Sequence, residues 1–277
     1  MSVLVLDGYN LLHRARSGFQ LGNFNVCYNF FRGLRPLVEQ FNPTRIYFTL
    51  EGDPQWRYQL LPEYKANRLV DQTTEEGQAK HKSLEDFHRQ KDLIVDLLVQ
   101  YFPISVVFHP NHEGDDVVFN LIDTASRAID FVVVSSDSDF TQLLQQFHNV
   151  KLYNPITKSY VKSPPYDYVL WKSLCGDTSD NIPGIPGVGD KRAAEACVNP
   201  TQFNQLLVEH GDMIKRNKLL IQFSRWTREE AVDMFSSAPD RDWDAVKQKF
   251  AEWDFKSMTK DSYWSNFVGT FNSLWGT

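Results

Sequence analysis

Acidic residues in this sequence repeatedly follow short runs of β-branched or aromatic residues. Asp7 comes directly after Val3-Leu4-Val5-Leu6, and Glu51 and Asp53 come after the run from Arg45 to Leu50. Glu113, Asp115 and Asp116 follow Ile104 to Phe108, and Asp137 and Asp139 follow Phe131 to Ser135. One Asp or Glu at such a turn is ordinarily a helix cap. A whole set at one rim is harder to explain that way, because like charges repel and resist desolvation unless cations lie among them. The set holds no Cys or His, and all-oxygen ligands select Mg²⁺ or Mn²⁺ over zinc. Two such ions about 4 Å apart activate a water and stabilise the leaving oxygen in phosphodiester hydrolysis. Glu113/Asp115 and Asp137/Asp139, at i and i+2, share a face if the chain is locally extended.

A second group lies further on, in Cys175-Gly176-Asp177-Thr178-Ser179-Asp180-Asn181-Ile182-Pro183-Gly184. Asp177 and Asp180, at i and i+3, would be neighbours on one turn of helix and able to face the same ions. Gly184-Ile185-Pro186-Gly187-Val188-Gly189-Asp190-Lys191 then reads as a Gly-rich hairpin entering a helix with Lys191 and Arg192 in its first turn. Backbone N–H groups at such a turn can hold a phosphate, helped by those bases. A plain tight turn between helices is the other reading of the glycines.

To bring these acids together, the chain must place the ends of several strands side by side. Strands are expected at Val3 to Leu6, Arg45 to Leu50, Ile104 to Phe108, Phe131 to Ser135 and Val150 to Tyr153. The segments Val26 to Phe41 and Asp115 to Ala128 between them carry apolar residues at helical spacing. This alternation predicts an α/β fold with a mostly parallel sheet, in which ligands gather at the carboxyl ends of the strands. From about Asp167 the strand pattern stops and short helices separated by Gly, Pro and Asn turns take over. The expected division is therefore an α/β core over residues 1–165 and a helical lobe over 166–277, with the hairpin motif at about 176–197. Residues 54–92 form a long polar connection carrying Lys65, Arg68, Lys80, Lys82, Arg89 and Lys91, readable as an arch or lid or as a solvated loop and helix.

The 277 residues, 42% hydrophobic and 14% aromatic, suffice for a full core. A formal net charge of -6 argues against holding nucleic acid by a blanket of basic charge. Carboxylates that bind cations are neutralised in use, however, so their placement matters more than their number. Apolar runs end far short of the roughly 20 residues of a membrane-spanning helix, and no signal peptide or anchor is expected. Cys27, Cys175 and Cys197 show no zinc-like spacing, which fits a reducing, cytoplasmic setting. Trp226, Trp243, Trp253, Trp264 and Trp275 are expected to be packing residues.

Six stretches in this order resemble the 5′ nucleases, the family of phage flap endonucleases and of the 5′ nuclease domain of bacterial DNA polymerase I. They are LDGYNLLHRA at the start, LPEYKANR at 61–68, EDFHRQ at 85–90, EGDDVV at 113–118, SSDSDFTQLL at 135–144 and GDTSDNIPGIPGVGDK at 176–191. The resemblance implies a PIN-like sheet flanked by helices, a helical arch and a C-terminal helix-hairpin-helix lobe. It implies a metal set of Asp7, Glu113, Asp115, Asp116, Asp137, Asp139, Asp177 and Asp180. Glu51 is the remaining member, at a position where the family usually has Asp, with Asp53 as its alternative. Lys65 and Arg68 match catalytic residues of the arch, where they would neutralise charge building on the phosphate. Tyr64 and Arg57 match substrate contacts, Tyr64 as a ring that stacks on a frayed base. Gly184, Gly187, Gly189, Lys191 and Arg192 match the part that grips the duplex backbone, where a K⁺ ion is often held.

The resulting expectation is a metal-dependent 5′-3′ exonuclease or flap endonuclease of replication or repair, using two Mg²⁺ ions, for which Mn²⁺ can substitute. Its partners would be DNA 5′ ends, flaps or junctions, and RNA-DNA hybrid at primers, acted on by a monomer. With no room for a polymerase before Thr277, a free-standing enzyme is expected. The rival of another class is a structure-specific DNA-binding protein that keeps the fold and has lost activity. A PIN-type ribonuclease is a second rival, set aside because such chains are shorter and lack both the EYKANR stretch and the hairpin lobe.

Overall fold

The structure, a computed structural model, describes residues 2–232, 235–236 and 242–276. Its centre is a seven-stranded sheet built from β1 (Ser2–Asp7), β2 (Arg45–Thr49), β3 (Ser105–Phe108), β4 (Asp130–Val134), β5 (Val150–Asn154), β6 (Ser159–Tyr160) and β9 (Phe235–Ser236), in the order β6-β5-β4-β1-β2-β3-β9. The inner five strands are parallel, and antiparallel β6 and β9 form the two edges. β1 shows why these residues make a central strand. Leu4 and Leu6 face one core while Val3 and Val5 face another, so the strand is covered on both faces, as parallel sheets require.

Helices α1 (Gly8–Arg16), α2 (Asn25–Phe41) and α4 (Glu75–Tyr101) cover the first face, and α5 (Gly114–Asp123) and α6 (Thr141–Gln146) cover the second. The short α3 (Gln55–Leu60) leads from β2 toward the long α4. The helix expected to run to Ala128 ends at Asp123, where Thr124 and Ala125 turn the chain back toward β4. The expected arch is also shorter than 54–92. From Phe87 onward α4 packs Phe87, Ile94, Leu97 and Leu98 into the main core, which leaves the stretch before it as the segment over the site.

Beyond Asp167, α7 (Tyr168–Cys175), the two-residue strands β7 (Gly176–Asp177) and β8 (Ile182–Pro183), α8 (Asp190–Val198) and α9 (Pro200–Ile221) share a small core around Leu174, Ile185, Val188 and Ala193. This lobe is less extensive than expected. After α10 (Arg228–Val232) the chain returns to the sheet as β9, a strand not anticipated from the sequence. The last helices, α11 (Trp243–Glu252), α12 (Lys256–Thr259) and α13 (Asp261–Asn272), pack on α2 and α4 and not on the lobe. Phe250, Phe255, Phe267 and Phe271 are each fully buried; Phe250 packs tilted on Phe31, Phe267 and Phe271 meet Phe102 edge-on, and Phe255 meets Tyr28 edge-on. Trp243, Trp253 and Trp264 pack in or against this core and Trp226 packs on His109 and His112, whereas the Trp275 side chain lies outside the described residues.

Candidate metal and nucleic-acid site

Parallel pairing of β1 with both β2 and β4 brings Asp7, Glu51 and Asp137 to one rim of the sheet. Asp7 is at once a helix cap and a member of the cluster. Its carboxylate accepts from the Asn10 N–H at 3.2 Å and from the Ser135 hydroxyl at 2.6 Å. The Ser135 Oγ in turn accepts from the Asp137 N–H at 3.0 Å, so β1 and the turn after β4 are fixed to each other. Next to Asp7, Gly8 passes so close to β2 that a Cβ would lie 2.2 Å from the Thr49 carbonyl oxygen. Only glycine lets the acid approach its neighbours there.

Asp115 and Asp116 lie in the first turn of α5, with Glu113 as its N-cap, where acids oppose the helix dipole favourably. The extended i, i+2 geometry expected for Glu113/Asp115 is therefore not what is observed, and Asp139 likewise sits in a turn of 3₁₀ helix capped by Asp137. The lobe contributes Asp177 and Asp180 from a hairpin, not from a helical turn. Gly176, at φ 81°, turns the chain out of α7, and a Cβ there would lie 2.3 Å from the Gly184 nitrogen. The Asp177 carboxylate then accepts from the Ser179 N–H and hydroxyl at 2.8 and 2.7 Å.

The crevice where these parts meet has a volume of about 80 Å³ and is lined by Asp7, Glu51, Glu113, Asp115, Asp137, Asp139 and Asp180, together with Lys65 and Arg68. Glu51 lines it, while Asp53 points elsewhere and accepts from the Gln55 amide at 2.6 Å. Burial pushes the carboxyls of Asp7 and Asp137 up to about 6, helped by the negative charge of Glu51 and Asp139 respectively. Asp115 is raised well above the usual range by burial and by Asp116, and Glu51 and Asp180 are raised mainly by burial. Burial and mutual repulsion thus disfavour the charged form of these acids, and a cation among them would oppose both effects.

Lysines supply part of that charge. Lys172, on α7, is buried and bridges Asp139 of the rim to Asp177 of the lobe, the latter at 2.7 Å. Burial opposes the charges of both Asp177 and Lys172. Their attraction prevails, holding Asp177 below the usual carboxylate range and Lys172 above the usual ammonium range. Tyr168, one helical turn before Lys172, donates to Asp139 at 2.9 Å. Sequence reasoning missed both residues; the signal available was their i, i+4 spacing on the helix that leads into the GDTSDN stretch. Lys65 pairs with Glu113 and lies 3.8 Å from Asp180, while Arg68 pairs with Asp180 at 2.5 Å. Among the described residues no three carboxylate, His or Cys side chains converge tightly enough to enclose an ion as they stand. The oxygen-only donor set nonetheless suits a hard divalent cation, with the ammonium groups standing where its charge would be.

Two residues expected to contact DNA are buried in this structure. Arg57 is 1% exposed and bonds Glu113 at 2.6 Å, Asp116 at 2.7 Å and the Leu220 carbonyl at 3.2 Å, so it is a buried strut under the acids. Tyr64 is 3% exposed and donates to Glu113 at 2.8 Å, leaving no face free for a base. Asp116, fully buried, gives its oxygens to Arg57 and to the Ser224 N–H, and is absent from the crevice lining. Gly184, Gly187 and Gly189 form the expected turn, with Gly187 at φ 77°, and Gly189 caps α8, whose first turn exposes Lys191 and Arg192.

Residues 2–167 match the model of the family described as 5′-3′ exonuclease, N-terminal resolvase-like domain. A thermostable DNA polymerase I of Thermus filiformis is 31% identical over 230 residues, 78% of this chain and 26% of that protein. A 5′-3′ exonuclease of Mycobacterium tuberculosis is 27% identical over 208 residues, 68% of this chain and 65% of that one. The aligned part thus spans about a quarter of the polymerase and just under two thirds of the exonuclease. In fold, the chain is similar to flap endonuclease-1 from Methanococcus jannaschii, with a TM-score of 0.64 and 17% identity over 99% of this chain and 93% of that one. The bacteriophage T5 5′-exonuclease with bound zinc ions gives a TM-score of 0.63 and 22% identity over 80% and 89%. With the family matched across the sheet and its rim of acids, the chain belongs to the 5′-3′ exonuclease family.

Proposed function

We propose that this protein is a structure-specific 5′ nuclease that hydrolyses DNA phosphodiesters at 5′ ends, flaps or junctions in replication or repair. The observation that carries this reading is the meeting of rim acids and lobe acids at one crevice, with lysines bridging the two parts. Asp7, Glu51, Glu113, Asp115, Asp137, Asp139, Asp177 and Asp180 are the residues that would hold two divalent ions, Mg²⁺ or Mn²⁺. When bound, the ions would supply an activated water and neutralise the leaving 3′ oxygen. Asp116 acts through Arg57, holding Glu113 in place.

A crevice of about 80 Å³ is far below the ~300 Å³ of ordinary ligand pockets. What closes it is the segment before α4. The Lys65 N–H donates to the Asp180 carbonyl at 2.9 Å, the Asn67 amide to the Thr178 carbonyl at 2.8 Å, and the Asn181 amide to the Glu63 carbonyl at 2.6 Å. DNA lifts this segment, in our reading, and Lys65 and Arg68 transfer from the acids to the scissile phosphate. The exposed turn at Gly184, Gly187 and Gly189, with Lys191 and Arg192, would grip the duplex backbone, and a K⁺ ion on its carbonyls would stiffen it. The boundary that matters mechanically then lies near α7, between the rim and a lobe of residues 168–221.

The direct test is cleavage of end-labelled flap, nicked, blunt and RNA-primed duplexes with Mg²⁺ and with EDTA. Products ending in 5′ phosphate, seen only with the metal, are expected; a chain that binds these duplexes and never cuts them would be the binding protein instead. Lys65→Ala is expected to slow cleavage on the order of 10²–10³-fold at unchanged metal affinity, the scale of losing one charge stabiliser. If only the Kd for DNA changed, Lys65 would belong to binding.

The two raised carboxyls set a pH dependence. Asp7 and Asp137 go from 3.8 in the free residue to about 6 in the fold, so between those values the folded chain holds protons that the unfolded chain has lost. Without divalent ions their contribution to stability is full below the free value and fades as pH rises through about 6. Mg²⁺ competes with the same protons. Its addition should therefore raise Tm more at about pH 8 than at about pH 5. An equal rise at both would remove these two acids as the binding groups.

A further inference from the structure

A cavity of about 420 Å³ opens between α1, α2 and the turn joining β5 to β6, outside the crevice of acids. Its size lies within the range of about 300–1,000 Å³ usual for ligand pockets. Phe30, Leu34, Leu37 and Tyr153 give it an apolar wall. Arg14 and Lys158 are the charged residues of its lining, which contains no Asp or Glu. That balance is unusual in a chain of net charge -6. Both cations are exposed and make no ion pair among the described residues, so neither is spent on the fold.

One face of helix α2 lines this cavity. Asn29, Gly33, Pro36, Leu37 and Gln40 lie on one face of it, at i, i+4, i+7, i+8 and i+11, and all five line the cavity. Gly33 is in the helix interior, where glycine is unfavourable, and a Cβ added there meets nothing within 4 Å. Pro36 has no N–H and so denies the helix its hydrogen bond to the Arg32 carbonyl. Two residues poorly suited to a helix interior thus share the one face where space is kept open.

We propose that this cavity takes a nucleotide of the bound DNA, its base and sugar against the apolar wall and its phosphate between Arg14 and Lys158. Helix α1 joins the two places. Asp7 caps its start at the crevice and Ala15 near its end lines the cavity, about 12 Å away at 1.5 Å per residue. That distance corresponds to some three or four phosphates at ~3.4 Å of rise per strand. The inference rests on the reading that the protein handles DNA.

Fluorescence anisotropy of a labelled 5′-flap duplex, measured in EDTA over a salt series, tests it without needing cleavage. Arg14→Ala with Lys158→Asn, the Asn chosen because position 158 has φ 54°, removes both cations from the one phosphate. The slope of log affinity against log salt should become shallower by about 1, for the one phosphate the two cations hold. Gly33→Leu fills the cavity at a position with room for a side chain, and should weaken DNA binding while leaving the salt slope and keeping or raising Tm. Unchanged affinity and slope in both variants overturn the proposal, even if a peptide is found to bind the cavity. Binding of a free deoxynucleoside monophosphate that Gly33→Leu blocks, with flap binding unaffected, overturns it too, since the site would then serve free nucleotide. Failure here leaves the nuclease reading standing, because that reading depends on cleavage and this one on affinity alone.

Discussion

Asp137→Ala and Asp177→Ala are each expected to lower cleavage of a 5′-flap duplex by at least about 10²–10³-fold while leaving DNA affinity close to its native value. The two variants probe different parts of the molecule. Asp137 follows β4 on the sheet and Asp177 sits on the lobe hairpin, and Lys172 bridges from Asp139, two residues beyond Asp137, to Asp177. If both acids serve one centre, removing either is as damaging as removing both, as for groups that act as a unit. Single-turnover rates of the two single variants and the double variant, with Kd measured on the same duplex, check this. Near-native rates from either single variant would end the assignment of that acid. Multiplying effects in the double variant would mean two separate roles in place of one shared site.

Arg57→Ala carries the largest expected loss of stability, about 3–5 kcal/mol, the scale of breaking a buried ion pair from one side. Its guanidinium is the common partner of Glu113 and Asp116 below the crevice, and burial of all three leaves no water to take its place. Burial alone would lower the Arg57 pKa, yet Asp116 and Glu113 raise it, and Arg57 in turn holds the Asp116 carboxyl below the usual range against its burial. Urea unfolding at neutral pH measures the effect. A loss below about 1 kcal/mol, the scale of an exposed pair, would show that the cluster is not held by Arg57. Lowering the pH should narrow the gap between variant and native protein. The native state alone keeps Asp116 below the usual carboxylate range, and that advantage is present above the free value and lost as pH falls through the folded one.

The parallel strands were legible because a strand covered on both faces needs a run such as Val3-Leu4-Val5-Leu6, and the acids stood out because each follows one. What sequence could not convey is which charged residues lie beneath the surface. Arg57 and Lys65 read alike as basic residues near a matched stretch, yet one is sealed under the acids and the other lies at the crevice wall. Lys172 carried no signal of its own, since its burial follows from the meeting of two parts distant in sequence. The turn carrying Asp177 and Asp180 misled because i, i+3 spacing fits a hairpin as well as a helix. β9 is two residues long, too short to leave a period, and its register comes from β3.

The placement of α11 to α13 bears on how the chain assembles during synthesis. Every acid of the crevice lies before residue 181, but Phe31 and Phe102 obtain Phe250 and Phe271 as partners only from α11 and α13. Contacts so far apart in sequence form late, after a long loop has closed. A nascent chain that has already made its whole set of acids therefore still shows open aromatic surface on the sheet's first face. Exposed apolar surface of this kind is what makes folding intermediates prone to aggregate, until α11 to α13 dock.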